Sequence, residues 1–152
     1  LHSFPTRRSS DLWSFELGGE PFVLEEASRP AYHAALAHGA NHLVTLVSQA
    51  VRALQAAGVN DGAATMRPLL TAALDRTLRE GGDNALTGPV ARGDAGTVAT
   101  HLAALEALRN EAGAPLSDVV ESYRALARAT LARREGCLPP EQTAALHKVL
   151  DP

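Results

Sequence analysis

Ser28–Gly58 reads SRPAYHAALAHGANHLVTLVSQAVRALQAAG, and this stretch decides the fold. Ser28 and Pro30 supply a capping hydroxyl and a first-turn proline. Gly58 supplies a left-handed stop, and only Gly39 interrupts between them. The spacing predicts one helix over 29–57, roughly 42 Å long at about 1.5 Å per residue and more than twice the usual helix length. At about 100° per residue, Leu36, Leu43, Val47, Ala50 and Leu54 fall on one stripe, flanked by Tyr32, Gly39 and Leu46. The opposite face carries His38, Asn41, His42, Thr45, Ser48, Gln49 and Arg52. Arg52 is the only formal charge between Pro30 and Ala57. A water-facing helix of this length normally carries several Lys and Glu residues, so a second covering partner is expected over the polar side.

Downstream the period stays helical. Asp61 can cap a helix to about Glu80, with Pro68 implying a kink or restart and Gly81-Gly82 ending it. Asp94 can cap the next to about Asn110, with Leu102, Leu105 and Leu108 as its apolar face. Ser117 can cap another to about Arg134, whose basic last turn suits the helix dipole. Pro139-Pro140-Glu141 opens a final helix to about Val149. From Ser28 on, an all-α, multi-helix domain is expected, running over 28–152 around one long central helix.

Ahead of it, Trp13–Leu17, Gly18-Gly19 and Pro21–Leu24 read as a hairpin, or as a last helical turn followed by one strand. A lone strand is only marginally stable in water, so 13–27 is expected to be the edge of a sheet belonging to another domain. Leu1–Leu12 has no period and no apolar core of a signal peptide. It resembles translated sequencing adapter from a metagenomic assembly and is set aside as disordered.

Composition narrows the function classes. Hydrophobic residues make up 45%, charged 20% and aromatic 4%, with a net charge of −3. Nothing in that balance favours nucleic acid or an anionic membrane. No apolar run reaches the ~18 residues that span a bilayer, and a cytoplasmic location is expected. The single cysteine, Cys137, excludes an internal disulfide and lacks a neighbouring base.

Three stretches carry a family resemblance: Arg29-Pro30-Ala31-Tyr32-His33-Ala34-Ala35-Leu36, Gly39-Ala40-Asn41-His42-Leu43 and Leu86-Thr87-Gly88-Pro89-Val90-Ala91-Arg92-Gly93-Asp94. Over roughly Gly18–Leu150 the chain resembles the C-terminal domain of Rossmann-like oxidoreductases, catalogued as domain of unknown function number twenty-five-twenty. That domain is similar to the helical domains of pyrroline-5-carboxylate reductase and 6-phosphogluconate dehydrogenase. The resemblance implies a helical substrate-cleft and dimerisation domain whose parent transfers hydride between NAD(P) and a small, anionic substrate. No Gly-x-Gly-x-x-Gly occurs in this chain, so the nucleotide is expected on a missing Rossmann domain, with no cofactor and no activity for this chain alone. Related dehydrogenases pair a Lys and an Asn one turn apart on the corresponding helix. Asn41 is present, but Ala37 stands where the Lys would be.

Site expectations follow. His33, two turns before Asn41, can serve as acid or base in place of the Lys, or can simply pack at the helix edge. Asn41 would position substrate. Thr87, Arg92 and the Gly93 backbone sit where a loop feeds a helix N-terminus, a place that favours an anion. The same loop also reads as a plain turn with Asp94 as cap. His38 and His42 have the spacing of two metal ligands but no third, so no metal is expected. The competing reading is a stand-alone helical dimerisation or binding module without catalysis.

Overall fold

A computed structural model describes residues 24–111 and 116–151 of the chain. Among them every regular element is helical, and no strand occurs. The strand and turn expected over 13–23, and the adapter-like stretch, lie outside the described residues. The chain divides into two compact units, Leu1–His42 and Leu43–Pro152.

In the first unit a short 3-10 turn, Glu26–Ser28, leads into α1 (Arg29–Leu36). Ser28 was expected to cap α1 but makes no side-chain cap bond. It belongs to the preceding turn, where its own N–H donates to the Glu25 carbonyl at 3.0 Å. From Ala37 to Asn41 the helix widens into a π turn, in which the His42 N–H reaches back to the Ala37 carbonyl. The expected single α-helix is thus corrected in pitch: helical conformation runs from Arg29 to Ala56 but passes through this wider turn.

The second unit continues as α2 (His42–Ala56), whose first residue is the last of the first unit. Gly58, at φ +90°, ends it, and the Val59 N–H donates to the Leu54 carbonyl at 2.9 Å. This is the left-handed glycine stop that the sequence suggested. Asp61 then caps α3 (Gly62–Glu80) through its carboxylate, which accepts the Ala64 N–H at 2.8 Å. Pro68 neither ends nor restarts α3; the helix continues to Glu80. Gly62 lets α3 begin against α2, because a Cβ there would stand 3.0 Å from the Val51 carbonyl oxygen. A single turn, α4 (Gly82–Ala85), follows.

α5 (Ala95–Asn110), α6 (Ser117–Arg134) and α7 (Pro140–Leu150) pack each on the other two. Asp94 caps α5 twice over, accepting the Thr97 N–H at 2.9 Å and the Thr97 hydroxyl at 2.6 Å. Ser117, expected to cap α6, is instead its first residue, and Leu116 precedes it without a side-chain cap. The core draws on helical spacing: Val98 and Leu102 from α5, Val120, Ala127 and Leu131 from α6, Leu146 and Leu150 from α7. Each fully buried leucine contributes about 1.5–3 kcal/mol. The end of α7 is closed by α6: Arg124 donates to the Val149 carbonyl at 3.0 Å and Arg128 to the Leu150 carbonyl at 2.6 Å. Cations at a helix C-terminus satisfy the last carbonyls and suit the dipole.

Candidate functional site

Three helices of the second unit turn small and apolar residues towards one another around an open groove of about 810 Å³. Leu46, Gln49, Ala50 and Ala53 come from α2, spaced i, i+3, i+4, i+7. His101, Ala104, Leu105 and Leu108 repeat that spacing on α5, and Val119, Ser122, Tyr123 and Leu126 repeat it on α6. The loop before α5 adds Thr87, Pro89 and Val90, and Met66 joins from α3. Such spacing brings one stripe of each helix to a common space. Among the described residues no Asp, Glu, Lys or Arg lines the groove.

The α2 wall is held by a polar clasp. Gln49, expected on a solvent-averse polar face, is 4% exposed. Its amide donates to the Asp118 carboxylate at 2.9 Å and reaches the Ser122 hydroxyl at 2.9 Å. Arg52 donates to the same carboxylate at 3.0 and 3.2 Å. The Gln49 amide, with the Arg52 guanidinium behind it, holds the Asp118 carboxyl below its ordinary range. Of the polar face only Gln49 and Arg52 are covered in this way, by α6; Thr45 and Ser48 beside them, and His38, Asn41 and His42 before them, are exposed.

Two polar side chains stand out in the wall. His101 Nδ1 lies 3.0 Å from the Tyr123 hydroxyl, with the rings edge to face and centroids 6.1 Å apart. Burial pushes the Tyr123 phenol up, so it stays protonated across the neutral range. Neither residue was singled out in the sequence. The pair is 22 residues apart on two helices, and the only local signal was a tyrosine, one of 2, in a chain poor in aromatics.

The residues expected from sequence fall in different places. Thr87 lines the groove. Arg92 and Gly93 belong to the neighbouring turn and do not. Their N–H groups, expected to meet an anion, donate within the loop: Arg92 to the Gly88 and Pro89 carbonyls at 3.2 Å, Gly93 to the Val90 carbonyl at 3.1 Å. The α5 N-terminus already holds a negative group, the Asp94 carboxylate, which the Thr97 hydroxyl and N–H keep below its usual range. Gly93 is needed for shape: at φ +77° any Cβ would run into the Gln142 side chain.

His33 and Asn41 are exposed in the first unit, on either side of the π turn's start. There His38 Nδ1 and His42 Nδ1 lie 3.1 Å apart, with rings at 88°. Among the described residues no three His, Cys, Asp or Glu side chains gather as metal ligands. No helix among them is long and apolar enough to cross a membrane.

The sequence profile described as "Domain of unknown function (DUF2520)" matches residues 13–130. No curated protein matches the chain, and no solved structure does.

Proposed function

The chain belongs to the DUF2520 family, and from that premise we propose that it is the helical substrate-cleft domain of a nicotinamide-dependent oxidoreductase. In this reading a Rossmann lobe outside this sequence holds NAD or NADP, and hydride passes to or from a small molecule in a cleft that this domain walls. The observation that carries it is the groove itself, a three-helix concavity of ligand size with a few convergent polar groups. The family resemblance supplies the redox chemistry.

A dinucleotide does not fit the residues present. Its pyrophosphate needs a glycine-rich turn at a helix N-terminus or a cluster of cations. Among the described residues no Lys or Arg lines the groove, and the α5 N-terminus is closed by Asp94. The nucleotide is therefore assigned to the other lobe, and this chain contributes substrate positioning, exclusion of water and dimer contacts. A homodimer and a cytoplasmic location belong to the same proposal. Thr87, which lines the groove, is proposed as a substrate contact, and His33 and Asn41 as candidates at a surface that a second lobe would cover.

The stand-alone binding module is favoured by one observation, the row of exposed leucines on α3, which needs a protein partner rather than a nucleotide. Calorimetric titration of this chain with NADH and with NADPH is expected to give no binding. Tight binding of either would sink the division of labour. Supplied with a Rossmann lobe, the chain is expected to support oxidation of the reduced nicotinamide by a small carbonyl compound. Nucleotide consumption that is the same with and without this chain would favour the module.

A further inference from the structure

The groove wall is mostly carbon; its polar side chains are Gln49, Thr87, His101, Ser122, Tyr123 and Thr130. Gln49 and Ser122 bond to each other, and Gln49 also to Asp118. His101 and Tyr123 bond to each other and still have capacity left. If the Tyr123 hydroxyl donates to Nδ1, then His101 Nε2–H is a donor and the phenol oxygen still accepts. If Nδ1–H donates instead, the phenol hydroxyl is the donor and Nε2 accepts. Whichever tautomer holds, the pair presents one donor and one acceptor. That is the complement of a hydroxyl group, and its donor half serves a carbonyl oxygen.

Among the described residues no Asp, Glu, Lys or Arg lines the groove, so a carboxylate or phosphate would shed water there without a fixed counter-charge. A volume of about 810 Å³ suits a molecule of drug-like size. We propose that the groove between α2, α5 and α6 binds a neutral, largely hydrocarbon molecule carrying one carbonyl or hydroxyl oxygen, anchored at His101 and Tyr123. This deepens the reading above by naming its substrate class, and it departs from the anion that the Arg92 turn suggested. Binding at this site needs no nucleotide.

The test is calorimetric titration of the chain with 4-phenylbutan-2-one and, as its charged counterpart, 3-phenylpropanoate. The ketone is expected to bind at least about tenfold more tightly than the carboxylate. Tyr123→Phe should weaken the ketone about five- to tenfold, the effect of one hydrogen bond, with an unchanged melting temperature. Ala104→Trp, which fills the groove, should abolish binding. Tighter binding of the carboxylate, no ketone binding by the unaltered chain, or ketone binding indifferent to Tyr123→Phe would each overturn the site. So would sedimentation showing a dimer that Ala104→Trp dissociates, because the occupant would then be a second copy. Ketone binding without nicotinamide turnover would overturn the oxidoreductase reading and leave the site standing. Turnover without ketone binding would do the reverse.

Discussion

α3 and the α5–α6–α7 corner carry the same kind of leucine pattern and meet opposite fates. In the corner, Leu131, Leu146 and Leu150 are 1%, 0% and 0% exposed. Along α3, Leu69, Leu74 and Leu78 are 63%, 51% and 79% exposed. Leu146 and Leu150 on α7, and Leu74 and Leu78 on α3, each lie one helical turn apart, so the period reports only that a face wants cover. What decides burial is where the chain goes next. After α5 it returns twice, as α6 and α7, and each return covers the other two helices. After α3, Gly81 at φ +86° turns the chain into the short α4. α3 is steadied at its start by Gly62 against α2, and along its polar side by pairs such as Arg79 with Asp75 at 2.8 Å. Exposed pairs of that kind hold a helix together but do not dock it.

The sharpest way to break this comparison is to shorten one leucine of each kind. Leu146→Ala should cost about 2–5 kcal/mol by denaturant unfolding, since it opens a cavity among well-packed neighbours. Leu78→Ala should stay within about 0.5 kcal/mol in the monomer. Equal losses would mean that α3 is covered in solution, and the contrast would fall.

Much of this architecture was legible beforehand, and the failures share a cause. Asp61 and Asp94 announce their helices because a cap is a contact over three residues. Gly58 and Pro140 mark a stop and a start for the same local reason. Ser28 and Ser117 look equally good as caps, yet neither side chain caps its helix: Ser28 closes the preceding 3-10 turn, and Ser117 is already the first helical residue. Gln49 reads as one more residue on a polar face that wants cover, but that its cover is Asp118, 69 residues on, is not readable locally. The His101–Tyr123 pair is non-local in the same way. Local chemistry could be read; convergence could not.

A second test sharpens the intermediate case, α2, which is fixed to α6 by a polar clasp rather than by leucines. Gln49→Ala should cost about 1–3 kcal/mol, because it removes a buried amide that bonds both Asp118 and Ser122. A loss near zero would place α2 with α3, as a helix merely resting on its neighbours.

The smallest effect is expected in acid. Asp118, through the Gln49 amide and then Arg52, and Asp151, through Arg128, have folded pKa values below their ordinary ones. A carboxylate so depressed binds protons less well folded than unfolded. Its stabilisation is present in full above about pH 4 and is lost as the pH falls through the folded value. Melting temperature should therefore decline in that acid window. Gln49→Ala should make the decline shallower, and an unchanged acid limb would detach Asp118 from the clasp.

The widened turn at Ala37–Asn41 has a geometric consequence for the two residues that flank it. On a regular helix, eight residues leave His33 and Asn41 about 80° apart in azimuth. A π turn absorbs one extra residue and cuts that offset to about 20°. The two side chains then leave the axis along nearly one meridian, separated by roughly 11 Å of rise. Neighbours so aligned share one side of the helix, so any surface that covers one of them covers the other.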